Sequence, residues 1–247
     1  MKTSNIKNAL LSVALIAGTA AFASNAMAGD KERVYKVKVA NAMLGQPVAP
    51  SVIATHNGEF SLFEIGPAPT MGDSDYDSYL ALAAMAETGF PFHVDYQVSM
   101  SDGVWDTQVL LTDNGPMVPP VIFPGNSNYL TITASGNAKY LSAVGMLGMT
   151  NDAVYAVRGA MLPRGVGDKV RVYGKVYDIG SEANAESAAT IGALGAMDEN
   201  PETFEGINVD GEGYIHIHNG VHGIADLSPA AHDWRNPGVE ITIKRIQ

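Results

Sequence analysis

The sequence predicts an all-β protein, an antiparallel β-sandwich of about eight to ten strands with one short helix and long loops. Apolar and polar residues alternate with a period of two over several segments. Clusters of Gly, Pro, Asn and Asp separate these segments, and a helical pattern occurs in only one place. A sheet of parallel strands would need repeated helical crossovers, which this pattern does not provide.

The alternating segments are the predicted strands. In residues 34–40, Tyr35, Val37 and Val39 fall on one face, which we expect to be buried. The same alternation predicts strands over residues 93–100, 129–134, 169–177 and 239–246. Turn-forming residues predict loops over residues 44–50, 113–120, 123–128 and 162–168.

One segment is predicted to be helical, residues 77–89, because acidic residues precede an apolar run that ends at Gly89. Residues 185–212 lack any alternation and are predicted to form a long loop. Loops of that length are usually functional or disordered. No internal repeat or linker divides the chain, so we expect one domain over residues 29–247.

Residues 1–28 have the pattern of a secretory signal peptide. Lys2 and Lys7 precede an apolar run, and small residues end the segment at Ala28, where we expect cleavage. The apolar run is too short to span a bilayer, so membrane insertion is not expected. The chain has no cysteine and therefore no disulfide or lipoprotein anchor. These features predict a secreted protein, either extracellular or periplasmic.

The charge balance excludes some partners. With 26 acidic and 15 basic residues, the formal net charge is −11. Such a surface repels nucleic acid and anionic lipid and attracts cations. The sequence also lacks the G-x-S-x-G, H-E-x-x-H, P-loop and G-x-G-x-x-G motifs. We therefore expect a binding protein rather than an enzyme.

Oxygen-bearing side chains are concentrated where two predicted strands meet loops. Asp178, Glu182 and Asn184 follow one strand, and Asn151 and Asp152 interrupt another apolar segment. If the two loops meet, three carboxylates converge, and each pair about 4 Å apart would cost roughly 4 kcal/mol at an effective dielectric near 20. A hard cation would offset that cost, and Ca²⁺ suits irregular loops better than Mg²⁺. Ordinary turn residues with no ligand remain the alternative.

Seven short segments occur in an order typical of one known family. They are ATHNGEFSLFEIG, AETG, MLGMTNDAVYAV, VYDIGSEAN, GEGYIHIHNGVHGIADL, HDWRNP and GVEITIKRI. Together they resemble the spondin domain, the N-terminal β-sandwich family of F-spondin, and most of all its bacterial secreted members. The resemblance covers residues 34–246, nearly the whole chain.

The resemblance implies a calcium site and a role in binding. The family's calcium ligands are one aspartate in a Ser-Pro-Asp-Trp segment and two in a Trp-Asp-Ala-Gly-Thr-Asp segment. The matching positions here are Asp152, Asp178 and Glu182, with Asn151 and Asn184 as further candidate ligands. Animal relatives act in the extracellular matrix and in cell adhesion. This kinship implies an unidentified protein or glycan ligand at the cell surface or in the matrix.

A second metal site is the alternative. If residues 214–218 form a strand, His216 and His218 share one face, and His222 follows after an Asn-Gly turn. Three imidazoles could hold Zn²⁺ or Cu²⁺, which would make the protein a zinc or copper carrier or a metal-dependent enzyme. Hydrogen-bonded histidines on a polar strand face are the simpler interpretation.

Two other features are weaker candidates. Asp73, Asp75 and Asp77 match the first three ligand positions of an EF-hand, but the required Gly and closing Glu are missing, so we interpret these acids as solvated. His56 occupies a position where the spondin family also has a histidine. We expect it to make a local hydrogen bond, since the sequence offers no partner for a general base there.

Overall fold

Ten antiparallel strands dominate the computed structural model, which describes residues 31–115, 120–194 and 211–247. The strands are β1 (Arg33–Asn41), β2 (Ser51–His56), β3 (Gly66–Pro67), β4 (Val104–Leu110), β5 (Ser127–Ala134), β6 (Tyr140–Met146), β7 (Ala153–Met161), β8 (Lys169–Asp178), β9 (Tyr214–Ile217) and β10 (Val239–Arg245). The helices in these residues are α1 (Tyr76–Thr88), α2 (Phe92–Ser99) and α3 (Pro229–His232), with a 3₁₀ turn at Gly192–Leu194. The predicted all-β antiparallel fold is confirmed. The predicted signal peptide lies outside the described residues.

The strands form one sheet in the order β4-β2-β6-β7-β8-β10-β1-β5, with β9 paired to β8 and β3 paired to β9. The two ends of this order approach each other, because Asp106 of β4 accepts hydrogen bonds of 2.8 Å from both the N–H and the hydroxyl of Thr133 in β5. The sheet is therefore nearly closed into a barrel. No helix in the described part of the chain is long and apolar enough to cross a membrane.

The sequence predictions for four strands are confirmed. β1, β5, β8 and β10 cover residues 34–40, 129–134, 169–177 and 239–246 almost entirely. In β1, Tyr35, Val37 and Val39 are fully buried, while Lys36 and Lys38 between them are exposed. The alternation thus marks the face that packs inside the barrel. The inner core also contains Ile132, Leu141, Tyr155, Val176 and Ile241.

The strand predicted over residues 93–100 is wrong, because these residues form helix α2. Val94 and Val98 are buried, whereas Tyr96 and Met100 are exposed. Val94 and Val98 are four residues apart, which is also the spacing of one face of a helix. Tertiary packing favours the helix over the strand. The predicted helix over residues 77–89 is confirmed as α1, which ends at Gly89 with φ 74°.

Helices α1 and α2 pack on the outer face of the sheet and create a second core. Buried alanines and Met85 of α1 contact Val52 of β2, Val144 of β6 and Val154 of β7. These strands are consequently buried on both faces, and their sequences do not alternate. Because helices cover one side of β6 and β7, the loop between these strands lies at a sheltered end of the sheet.

Candidate metal centre

The strand pairing brings Asp152 and Asp178 together. Asp152 immediately precedes β7, and Asp178 is the last residue of β8. Ala153 lies opposite Asp178 in the antiparallel ladder, so the two aspartates lie at the same end of neighbouring strands. On its other side, Asp178 lies opposite His216 of β9. Three strands therefore meet at this end of the sheet.

A cluster of three carboxylates occupies this position. One oxygen from each of Asp152, Asp178 and Glu212 lies within 4.8 Å of the other two, and these residues could hold a metal ion. The two aspartates are almost completely buried, and Glu212 is exposed. The cluster thus has a buried base and one side that faces solvent.

Asp152 has one oxygen that is satisfied and one that is not. Its Oδ2 accepts the backbone N–H groups of Ser181 at 2.8 Å and of Glu182 at 3.1 Å. Its Oδ1 is buried and has no hydrogen-bond partner among the described residues. A buried charged oxygen without a partner is costly, and a bound cation is one way to satisfy it.

Asp178 is held by its own turn. Its Oδ1 accepts the N–H of Gly180 at 2.8 Å, and its Oδ2 accepts the side-chain amide of Asn184 at 2.5 Å. The same amide nitrogen of Asn184 donates to Glu212 Oε1 at 3.2 Å, so it bridges two of the three carboxylates. Rotation of this carboxamide would present its oxygen to the cluster in place of its nitrogen.

The turn between Asp178 and Asn184 requires a glycine at position 180. Gly180 has φ 70°, and a Cβ there would lie 2.6 Å from the backbone nitrogen and oxygen of Tyr214. This close approach lets the segment before β9 pack against the β8 turn. Glu212 reaches the two aspartates because it lies in that segment.

Burial and mutual repulsion perturb both aspartates. Burial, followed by the negative charge of Asp178, raises the pKa of Asp152 to about 8, although two backbone N–H groups oppose the shift. Burial also raises the pKa of Asp178, and the hydrogen bond from Asn184 opposes that rise. The cluster consequently favours either a proton or a cation over three bare negative charges.

The other predicted calcium ligands have different positions. Glu182 is buried, and its backbone N–H donates to Asp152, but its carboxylate is not part of the three-carboxylate group. Asn151 accepts the N–H of Glu186 at 3.2 Å and donates to Thr190 Oγ1 at 2.8 Å. Both ends of the Asn151 carboxamide are therefore engaged in holding the following loop.

Glu212 is the member of the cluster that the sequence did not indicate. It lies 30 residues beyond Glu182, in a stretch with no alternating pattern. Its proximity to Asp178 depends on the pairing of β8 with β9, which is a long-range contact. The only local signal is an acidic residue between two glycines just before the strand.

The histidine segment is only partly a strand, since β9 ends at Ile217. His216 Nδ1 lies 3.9 Å from Asp178 Oδ1, while His218 is buried against the Trp234 ring and accepts the N–H of Gly220 at 2.9 Å. His222 is exposed. Across residues 211–247, the three rings do not form a ligand group like that of the carboxylates.

The acidic segment before α1 is a separate turn. Asp73 Oδ2 accepts the N–H of Thr70 at 2.8 Å and its hydroxyl at 3.0 Å, and these hydrogen bonds lower the pKa of Asp73. Asp75 precedes the first residue of α1. Both arrangements fit the interpretation of solvated acids near a helix start.

The fold and the site together define an all-β protein with a carboxylate cluster at one end of its sheet. Comparison of the chain with protein-family models and with curated proteins finds no match. The resemblance to the spondin domain therefore stays a prediction.

Proposed function

We propose that this protein is a secreted calcium-binding protein with a binding, adhesive or structural role in the extracellular matrix or at the cell surface. The supporting observation is Asp152 Oδ1, a buried oxygen that finds no hydrogen-bond partner in the described part of the chain and that clusters with Asp178 and Glu212. The resemblance to spondin domains agrees with this function. The predicted signal peptide supports export.

The donor atoms favour a hard cation. All three clustered side chains offer carboxylate oxygens, and Ca²⁺ and Mg²⁺ prefer oxygen ligands. Two of these three acids lie at or next to strand ends, and the third lies in a loop. Ca²⁺ tolerates irregular geometry and higher coordination numbers, which is why we propose calcium.

The position of the site supports a role in recognition. Calcium would connect the starts of β7 and β9 with the turn after β8, and the exposed Glu212 would leave one side of the ion near solvent. Loops on a rigid β-scaffold are frequent binding surfaces. A protein or glycan ligand at the cell surface would bind this end of the molecule.

Calcium binding can be tested by thermal unfolding of the purified chain in chelator and with added Ca²⁺. With a dissociation constant near 10⁻⁴ M, a hundredfold excess of Ca²⁺ should stabilise the protein by about 2.7 kcal/mol. Mg²⁺ at the same concentration should stabilise it less. An identical melting temperature with and without Ca²⁺ would refute the calcium site.

Two glutamate variants separate the ligands. Glu212→Gln should weaken the calcium response strongly, because it removes a carboxylate of the cluster. Glu182→Gln should weaken it less, since the Glu182 backbone N–H that holds Asp152 remains. The reverse order would show that the ligand set is the one expected from the sequence.

A zinc or copper protein is the second candidate, and one observation favours it. His216 Nδ1 lies 3.9 Å from Asp178 Oδ1 and 3.0 Å from the Tyr214 carbonyl, so an imidazole that would have to release the Nδ1 proton to bind a metal through this atom is adjacent to the carboxylates. Nitrogen ligands favour Zn²⁺ and Cu²⁺ over Ca²⁺. Elemental analysis of protein purified without added metal distinguishes the two candidates. Stoichiometric zinc or copper that is lost in His216→Ala would support the second.

A further inference from the structure

A cleft separates β7 from β8 towards the ends of these strands that lie away from the carboxylates. The ladder between these strands ends at the pair Ala156 and Lys175. Beyond this pair, β8 continues in register with β10 over residues 169–174, so β7 and β8 diverge. The resulting cavity of 710 Å³ has the size of a small-molecule site.

A β-bulge in β7 shapes one wall of the cleft. Leu141 lies opposite Ala160 and Ala143 lies opposite Val157, which leaves Arg158 and Gly159 against the single residue between Leu141 and Ala143. Bulges of this kind redirect a side chain and are frequent beside functional sites. Here the bulged residue Arg158 lines the cavity.

The bulge is held by a serine–histidine pair. Gly159, with φ 80°, donates its N–H to Ser142 Oγ at 2.9 Å. His56 Nδ1 lies 2.5 Å from the Asn57 carbonyl, which requires an N–H there, so His56 Nε2 accepts the Ser142 hydroxyl at 2.8 Å. Both side chains are almost completely buried. The pair forms a rigid polar wall whose hydrogen-bonding groups are engaged within the protein.

The cleft is lined by positively charged residues, although the chain as a whole is acidic. Arg158 and Lys175 line the cavity, and its lining residues include no aspartate or glutamate. The chain as a whole carries a formal net charge of −11. A concave surface lined by two cations concentrates anions even on an acidic protein, although Glu64 outside the lining pairs with Arg158.

Arg158 is fixed in place but retains hydrogen-bonding capacity. Its Nη2 donates to the Phe63 carbonyl at 2.5 Å, and its guanidinium carbon lies 4.7 Å from the Phe63 ring centre. Its Nε is buried, and no group within residues 31–115, 120–194 and 211–247 makes a hydrogen bond to it. The ion pair with Glu64, 3.5 Å away, involves an exposed carboxylate and is weak. The Arg158 side chain is 24% exposed, so an anionic ligand in the cleft would pair with the accessible part of this guanidinium.

We propose that this cleft binds a small aromatic carboxylate. Its carboxylate group would pair with Arg158 and Lys175, and its ring would pack on the aromatic side chains of the lining. These are Phe60, Tyr140, Tyr173 and Tyr177. Arginine provides several donors in one plane, which suits a carboxylate. The ligand site is separate from the calcium site, and the two can be tested independently.

The experiment is an NMR titration of ¹⁵N-labelled protein with benzoate, compared with benzamide, which has a similar shape but no charge. Benzoate should shift the amide signals of Gly58, Gly159 and Lys175, and should bind about tenfold more tightly than benzamide, as expected for a charge-assisted hydrogen bond. Benzoate binding should weaken as salt is raised. Equal affinity for both compounds, or shifts confined to another face, would refute the proposal.

Three variants make the test specific. Arg158→Gln and Lys175→Gln should each reduce benzoate affinity, by about tenfold for Arg158 and less for the exposed Lys175. Arg171→Gln is the matched control, because Arg171 is an exposed cation of β8 that pairs with Glu240 at 3.3 Å and does not line the cavity. If Arg158→Gln does not fold, the Lys175→Gln variant and the comparison with benzamide still test the proposal. Equal losses in Lys175→Gln and Arg171→Gln would overturn the proposal.

Discussion

Asp152 is the residue that we expect to affect the stability of the metal-free protein. Burial and Asp178 both disfavour its charged form, and no residue that the structure describes makes a hydrogen bond to its Oδ1. The same atom provides calcium affinity if the proposed function is correct. A residue of this kind lowers stability without metal and raises it with metal.

Asp152→Asn should therefore separate stability from calcium binding. In chelator, we expect the variant to be as stable as the wild type or more stable by roughly 1 kcal/mol, because an amide is always neutral, whereas Asp152, with its pKa raised to about 8, must take up a proton on folding at neutral pH. Its carbonyl oxygen can still accept the N–H groups of Ser181 and Glu182. Added Ca²⁺ should no longer raise its stability. Urea unfolding at neutral pH with and without Ca²⁺ measures both effects.

Asp75→Asn is the control for this experiment, because Asp75 precedes α1 and lies outside the carboxylate cluster. It should keep the full calcium response. If Asp75→Asn loses the response and Asp152→Asn keeps it, the metal site lies in the acidic segment before α1.

His218 gives the fold a dependence on pH. Burial, and then the neighbouring His216 and His222, lower the pKa of His218 from 6.5 to about 4. The unfolded chain therefore binds a proton at a higher pH than the folded protein does. The contribution of the neutral ring to stability is complete above pH 6.5 and is lost as the pH falls towards 4.

His218→Asn should reduce this acid sensitivity. Asparagine can still accept the N–H of Gly220 but does not titrate. Between about pH 6.5 and 4, the wild type should lose roughly 3 kcal/mol more stability than the variant. Denaturant unfolding at several pH values provides the measurement. The exposed His222→Asn variant should keep most of the wild-type pH dependence, and an unchanged slope in His218→Asn would contradict the assignment.

At the scale of secondary-structure elements, the sequence predicts well the elements that bury one face. β1, β5, β8 and β10 each have enough alternation to mark the inner face of the sheet, and α1 has its Gly89 stop. Residues 93–100 show the limit of this approach. Their apolar positions fit both a period of two and a spacing of four, and contact with α1 and β4 decides between them.

The sequence predicts only the part of the carboxylate site that lies at the ends of adjacent strands. Asp152 and Asp178 were identified because the residues that flank them show where two strands meet loops. Glu212 depends on the pairing of β9 with β8 and on the close approach at Gly180. Neither contact has a local sequence signature, so the sequence predicts Glu182 as the third carboxylate and gives no indication of Glu212.

The described molecule combines a large apolar core with a small charged cluster at its edge. The inner core and the helix-covered core together contain dozens of buried apolar residues, most of which lie on β1, β2, β5 to β8, β10 and α1. Burial on that scale dominates folding free energy. The barrel should consequently fold without metal, and the effect of calcium should be local.

The final prediction concerns where calcium acts in the whole molecule. Chelation should leave the far-ultraviolet circular dichroism unchanged at room temperature, while hydrogen exchange should rise at Ser181, Glu182 and Glu186. The first two donate their N–H groups to Asp152, and Glu186 donates to the neighbouring Asn151, so all three report on this loop. Amides in the hydrogen-bond ladder between β1 and β10 should exchange as slowly as before and serve as the internal control. Loss of the β-sheet signal on chelation would show that calcium supports the entire fold. Unchanged exchange in the loop would show that calcium does not order this end of the sheet, and the proposed recognition surface would then have to lie elsewhere.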